Sequence, residues 1–562
     1  MKKNIFYDEK PKRDLRELLD TVVRANPGND AFLSKRNGIY EAVSYEVFQN
    51  DVNALGTAFI AMGLKDEKIG VIGENRYEWC VSYLATVNGT GVVVPLDKEL
   101  NADELVYLAK EAGLKAVVYS DKQAGKVKKM AERCASLKFL IPMDGEGEDS
   151  YTGFIENGRK LLEKGNRAFL DADIDPDAMN MLLFTSGTTG VSKGVMLCHR
   201  NIVSNIAAMR GILKITPDDL SLSILPIHHA FECTCGFLTV IGSGGTVAFC
   251  EGLKYIAENI RETKPTILVI VPLIIENVHA KIMKKAQASF IKNLVFKMLL
   301  GISSLLNVKA RRKLFKTVHA SLGGRVHHII SGASALSPKV SRDLDKMGLP
   351  ILQGYGMTEC APVTAGNPEK FYKHGALGMA LPGYEMKIDN PDKDGIGEIL
   401  IRGPHVMLGY YNMPEETKKT IVDGWLHSGD YGRVDKDGFY TITGRKKNLI
   451  VTKTGKNIFP EELEEYLNSS PFILESMVTD GEEDITKENF IQAHIVPNIE
   501  SIREAISDKI PSMDEIKKVI GEEIKKINKK LPTFKRINIF HIREEEFEKT
   551  TTKKIKRHNK KD

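Results

Sequence analysis

The chain is 562 residues long, room for three to five compact units at roughly 100–200 residues each. Hydrophobic residues make up 42% and charged residues 27%, near globular averages, which excludes disordered, collagen-like and disulfide-scaffold chains. The net charge of +5, from 79 Lys+Arg against 74 Asp+Glu, is too balanced for a dedicated nucleic-acid binder, so no nucleic-acid partner is expected and any basic surface must be local. The seven cysteines are scattered and include no C-x-x-C pair, so reduced thiols in a cytosol are expected. The start of the chain lacks the apolar run of a secretory signal. Residues 267–275 form the strongest apolar run, but they contain Pro272 and fall far short of the roughly 20 residues that span a bilayer.

From Tyr45 to about Ile275, amphipathic stretches alternate with short apolar runs at 68–72, 91–96, 116–119, 181–185 and 266–271. This alternation predicts βα units feeding mostly parallel sheets. Between Glu276 and Asp343 no acidic residue occurs, while thirteen Lys/Arg are interleaved with Phe290, Leu294, Phe296, Leu299 and Leu300. Such a segment suits either contact with anionic lipid or a solvated helix pair with core leucines. Residues 377–411 are rich in Gly, Pro and short β-branched runs at 386–388 and 398–401, which predicts a compact β unit at about 365–440. From Gly444 a second βαβ-like stretch follows, with strands at 449–452 and 492–496, a charged helix at 512–530 and a lysine-rich tail from Phe547.

The string Leu182-Leu183-Phe184-Thr185-Ser186-Gly187-Thr188-Thr189-Gly190-Val191-Ser192-Lys193-Gly194 places a loop of hydroxyls and glycines directly after an apolar strand. Backbone N–H groups and hydroxyls of such a loop can surround a polyphosphate, and Lys193 adds a point charge. The Walker A spacing is absent. Thr185 to Gly194 resembles the signature of the acyl-adenylate-forming enzymes, the family of acyl-CoA synthetases, luciferases and peptide-synthetase adenylation domains. Gln353-Gly354-Tyr355-Gly356-Met357-Thr358-Glu359, Trp425-Leu426-His427-Ser428-Gly429-Asp430 and Gly444-Arg445-Lys446-Lys447 resemble its later motifs, in the same order.

The resemblance implies an α/β fold: a large N-terminal domain of two βα-layered subdomains plus a small β-barrel, and a smaller mobile α+β C-terminal domain. The boundary is expected between 444 and 445, with a hinge at Lys447. It also implies roles. Thr185, Ser186, Gly187, Thr188, Thr189, Gly190 and Lys193 would hold the ATP phosphates, with Thr188 and Lys193 acting in catalysis. Gly332, Ala333 and Ser334 would line the base together with Gly354, Tyr355 and Gly356. Thr358 would face the phosphates, and Glu359 would hold Mg²⁺, for which a carboxylate is the hard oxygen ligand required. Asp430 would accept from the ribose hydroxyls, and Arg445 would reach the ribose or α-phosphate.

Pro226-Ile227-His228-His229-Ala230-Phe231-Glu232 is similar to the aromatic-histidine motif of fatty-acid-activating members, which makes His229 and Phe231 acyl-pocket walls. A zinc set from His228, His229, Cys233 and Cys235 matches no standard spacing. Near the C-terminus, Thr550-Thr551-Thr552-Lys553-Lys554-Ile555-Lys556-Arg557 resembles the family's last motif, with Glu548 in place of its proline and Lys553 in place of its glycine. Lys554 is then the adenylation lysine, and Lys553 remains a competitor. Thr454-Gly455-Lys456 would meet the pantetheine arm of coenzyme A after rotation at Lys447. The expected substrates are a medium- or long-chain fatty acid, ATP and coenzyme A. The alternatives are an acyl or aryl acid loaded onto a carrier-protein phosphopantetheine, or a non-catalytic acyl or nucleotide sensor. A cytoplasmic protein with peripheral contact at the inner membrane face is expected.

Overall fold

The computed structural model describes residues 5–185, 192–451, 456–482, 489–506, 510–549, 555 and 557. The chain divides into two compact units, one of residues 1–386 and 401–426 and the other of 387–400 and 427–562. This division of packing lies earlier than the hinge expected at Lys447, which concerns a motion and is taken up below as a proposal.

The first unit holds two large sheets. In the seven-stranded one, Met179–Thr185, Val92–Pro95, Lys68–Ile72, Ala116–Tyr119 and Phe139–Pro142 run parallel in that order, and Lys193–Cys198 and Gly409–Tyr410 close one edge antiparallel. In the nine-stranded one, Ile351–Gly356, His328–Ser331, Ile267–Ile270, Leu220–Ser223, Thr246–Phe249 and Asp30–Arg36 are parallel neighbours, with antiparallel strands at both edges. Central strands such as Val92–Pro95 and Ile267–Ile270 are buried along their whole length. That is why they read as flat apolar runs with no alternation. The helix Ala102–Ala112 shows how local signals bound the connections. Asn101 and Glu104 form a capping box at its start, and Gly113, at φ +67°, ends it in the left-handed region. Its Leu105 and Leu108 pack on Val94 and Val117 in one core.

Most of the acid-free window lies in four helices, Pro272–Ala286, which still carries Glu276 in its first half, Phe290–Ser303, Val308–Leu314 and Lys316–Ser321. They are inserted between two strands that are parallel neighbours, Ile267–Ile270 and His328–Ser331. A helix pair is one of the two readings of this segment in the sequence; breaks at 287–289, at 304–307 and at Phe315 divide it into four.

In the second unit, Ile473–Glu482 pairs antiparallel with Asn489–Pro497, which pairs parallel with Ile539–Ile542. The helix Met513–Asn528, read from sequence as 512–530, buries Ile516, Ile520, Ile524 and Ile527, and Ser512 with Glu515 forms its capping box. Isoleucines at this spacing form one helical stripe, and they close a separate core with Leu463, Val478 and Ile495. The strand Trp425–Val434 passes from the first unit into the second after Leu426.

Candidate active site

Thr185 ends one strand and Lys193 begins its antiparallel neighbour, and the two residues are paired in register. Thr185 donates its hydroxyl to the Lys193 carbonyl at 3.4 Å. Ser186, Gly187, Thr188, Thr189 and Gly190 lie outside the described residues. The Lys193 ammonium sits 3.0 Å from Glu416 Oε2 and 4.9 Å from the centre of the Tyr410 ring. Tyr410 is held opposite Val195 in the strand register, and its hydroxyl donates to Glu359 Oε1 at 2.8 Å. Burial, and then the neighbouring Glu359 charge, push the Tyr410 hydroxyl pKa well above its ordinary value, so it stays a donor. One tyrosine thus joins two residues that the sequence reading treated separately.

The loop after His328–Ser331 carries Gly332, Ala333 and Ser334. A Cβ on Gly332 would stand 2.7 Å from the Phe231 ring, so a larger residue here would force that aromatic side chain to shift. Ala333 takes the left-handed region at φ +72°, and both Ala333 and Ser334 are exposed. The strand Ile351–Gly356 pairs antiparallel with Val363–Gly366 and sets Tyr355, which is buried, opposite Ala365. Gly354 and Gly356 differ in kind. A Cβ on Gly356 would lie 1.8 Å from the Pro362 carbonyl oxygen, whereas one on Gly354 would meet only an ordinary contact at 3.4 Å. Thr358 and Glu359 follow on the short 3-10 turn Thr358–Cys360.

Beside Phe231, the His228 and His229 rings lie 4.4 Å apart. His228 Nε2 is 3.5 Å from Asp97 Oδ1, and the ligand atoms of Asp97, His228 and His229 all lie within 4.8 Å of one another. Burial would raise the Asp97 carboxyl, but the neighbouring His228 holds it down at about 2. Glu232, fully enclosed, accepts from Ser223 Oγ at 2.6 Å, and Ser223 Oγ accepts from Asn75 Nδ2 at 2.8 Å. Burial raises the Glu232 carboxyl to about 8. Cys233 and Cys235 lie in the π-helical turn Glu232–Leu238, with thiols raised by the same burial, Cys233 to about 12.

In the second unit Asp430 is buried and in register with Arg445, whose Nε lies 2.9 Å from Asp430 Oδ1. Glu398 supports the stretch of the strand Trp425–Val434 that precedes Asp430. The Glu398 carboxylate accepts from the Gly429 backbone N–H at 3.1 Å and from Lys446 Nζ at 2.8 Å, and it faces His427 Nδ1 at 3.3 Å. Lys447 follows on the short turn Lys446–Asn448. Lys456 places its ammonium 4.2 Å from the Phe534 ring centre. Arg557 pairs with Glu464, and Gly455, Lys553 and Lys554 lie outside the described residues.

Sequence reasoning did not single out Tyr410, Glu416, Asp97 or Glu398. The only signals were an aromatic pair after Gly409, an acid two residues past the strand ending at Pro95, an acid pair after Pro414, and an acid opening the run 398–401. None of these types is diagnostic without its spatial neighbour.

The AMP-binding enzyme family model matches residues 19–411. The chain belongs to the AMP-binding enzyme family. Among the relatives of this AMP-binding enzyme, rat long-chain-fatty-acid–CoA ligase 5 is 29% identical, over 91% of this chain and 81% of the relative. Fatty acyl-CoA synthetase A of Dictyostelium discoideum is 30% identical, over 88% and 78%. The solved structure of the ATP-bound RpMatB-BxBclM chimera B1 superposes with a TM-score of 0.77 at 25% identity, covering 97% of each chain. The AMP-binding enzyme is an AMP-forming acid–thiol ligase with the α/β fold of its class, and ATP and coenzyme A fit that class as co-substrates.

Proposed function

We propose that this AMP-binding enzyme activates a medium- or long-chain fatty acid to acyl-AMP and transfers the acyl group to coenzyme A. The observation that carries the adenylation half is the chain Lys193–Tyr410–Glu359, which gathers a phosphate-binding cation and a half-buried carboxylate at one sheet edge. The fatty-acid half is supported by relatives named for that substrate and by the aromatic–histidine loop around Phe231.

A carboxylate is a poor acyl donor because its leaving group would be oxide. In the first step a carboxylate oxygen attacks the α-phosphorus of ATP, the bond from that phosphorus to the bridging oxygen breaks, and pyrophosphate leaves. Lys193 exchanges Glu416 for the outer phosphates and stabilises the charge that grows there. Lys554, or Lys553 if the register is off by one, meets the reacting oxygens. Asp430 accepts from the ribose hydroxyls, and Arg445 stands beside it. His229 and Phe231 wall the acid, Gly332, Ala333, Ser334, Gly354 and Tyr355 line the base, and Thr358 faces the phosphates.

Mg²⁺ fits Glu359: the donor is a hard carboxylate oxygen, and Tyr410 fixes one of the pair without neutralising it. When bound, the ion would neutralise phosphate charge. In the second step the coenzyme A thiol, losing its proton, attacks the acyl carbon, and the bond to AMP breaks. Rotation at Lys447 would replace the adenylation lysine by the surface around Gly455 and Lys456.

The test is ATP–pyrophosphate exchange with a panel of acids, repeated for thioester formation with coenzyme A. Exchange that depends on fatty acid, with acyl-CoA as product, is expected. Exchange confined to aryl acids, thioester formed only on a carrier protein, or no exchange at all would each overturn the reading.

A further inference from the structure

The helix Phe290–Ser303 is apolar on two faces, and among the described residues only one of them is packed against the fold. Phe296, Leu299 and Leu300 pack into the core of the nine-stranded sheet, and the Phe296 and Phe315 rings meet edge to face at 5.9 Å. The other face carries Ile291, Leu294, Val295, Met298 and Ile302, all exposed, and Leu305 continues it just past the helix end at 90% exposure. With about 100° between successive residues, these positions fall on one side of the helix. Large apolar side chains scattered singly on a surface need no explanation, but a continuous stripe of them does.

Lys292 and Lys297, both exposed, stand on the two sides of the stripe, and Lys281 and Lys285 are exposed on the preceding helix. No acidic residue occurs from 277 to 342. We infer that this helix lies in the plane of an anionic lipid surface, with Ile291, Leu294, Met298 and Ile302 below the headgroups and the lysines on the phosphates. Lysine stems are long and apolar enough to pass the acyl boundary while the ammonium stays in the headgroup layer. Lipid explains both parts of the pattern together, because burial of the stripe and attraction of its flanking cations act at the same interface. A second copy of the chain explains only the first: a symmetric contact through this face would bring two acid-free, lysine-flanked stripes together.

This inference stands apart from the fatty-acid reading, because binding is measured with no acid or ATP present. The full chain is sedimented with vesicles of phosphatidylcholine alone and of phosphatidylcholine containing phosphatidylglycerol. The expected result is partition into the anionic vesicles only, weakened by salt. Leu294→Glu combined with Met298→Glu should lower that partition at least about tenfold, and Lys292→Glu combined with Lys297→Glu by a similar factor. All four side chains are exposed, so the melting temperature and the turnover of a water-soluble acid should stay at wild-type values. No binding, equal binding to both vesicle types, or a wild-type dimer that the Leu294→Glu, Met298→Glu variant dissociates would each overturn the inference.

Discussion

Tyr410 serves Glu359 through its hydroxyl and Lys193 through its ring, and substitution can separate the two contacts. Tyr410→Phe keeps the ring and deletes the donor, and a hydrogen bond to a charged group contributes about 1.5–3 kcal/mol. The expected outcome is a roughly tenfold lower kcat/KM for ATP with a comparable rise in the magnesium concentration needed for half-maximal rate and little change in melting temperature; a wild-type magnesium titration would show that Glu359 needs no such partner. Glu232 gives a stability experiment. Folded, it keeps its proton up to about pH 8, against an ordinary value of 4.5, so between those values the unfolded chain binds fewer protons and stability falls as pH rises. Glu232→Gln keeps the shape and cannot ionise. It should flatten that fall and gain on the wild type by up to a few kcal/mol near pH 8; urea titrations at pH 5, 7 and 8 read the slope directly, and parallel slopes would place the ionisation elsewhere.

Elements were legible where a repeating contact wrote a repeating pattern. The strands Lys68–Ile72 and Ala116–Tyr119 fall where the apolar runs place them, and Met513–Asn528 lies within two residues of its expected ends. These segments bury whole faces, so their residue types follow burial directly. The glycine-rich strand Ile351–Gly356 was legible as a motif but not in its physical cause. Gly354 and Gly356 look equivalent in sequence, yet only Gly356 is pressed against the Pro362 carbonyl. Gly356→Ala should therefore lower stability by about 1–3 kcal/mol, the usual cost of overpacking. Gly354→Ala should leave the melting temperature near wild type and weaken ATP binding if the nucleotide needs that space. Thermal melts paired with ATP titrations distinguish the two glycines, and equal destabilisation by both would erase the distinction.

At the scale of the whole molecule, Lys447→Pro tests the proposed hinge, because proline fixes φ near about −65° and a rotation between half-reactions needs that torsion to change. The variant should retain acyl-AMP formation while losing at least about tenfold in overall acyl-CoA production. Full ligase activity would remove the hinge from Lys447 and leave the packing division near residues 386–427 as the place to look for one. The sequence by itself determined the family, the α/β class and the order of the motifs, because each motif is a short contiguous string whose glycines, hydroxyls and charges are set by local backbone and ligand chemistry. Only the tertiary structure decided which residues meet across the chain. Tyr410 reaches Glu359, Gly332 makes room for the Phe231 ring, and Glu398 braces the strand just before Asp430. Such pairs are separated by tens of residues or more, and their identity follows from sheet register and side-chain packing, which no local pattern encodes. The exposed side of the Phe290–Ser303 helix belongs with them: apolar residues on both faces look alike in sequence, and only packing shows which face the core takes.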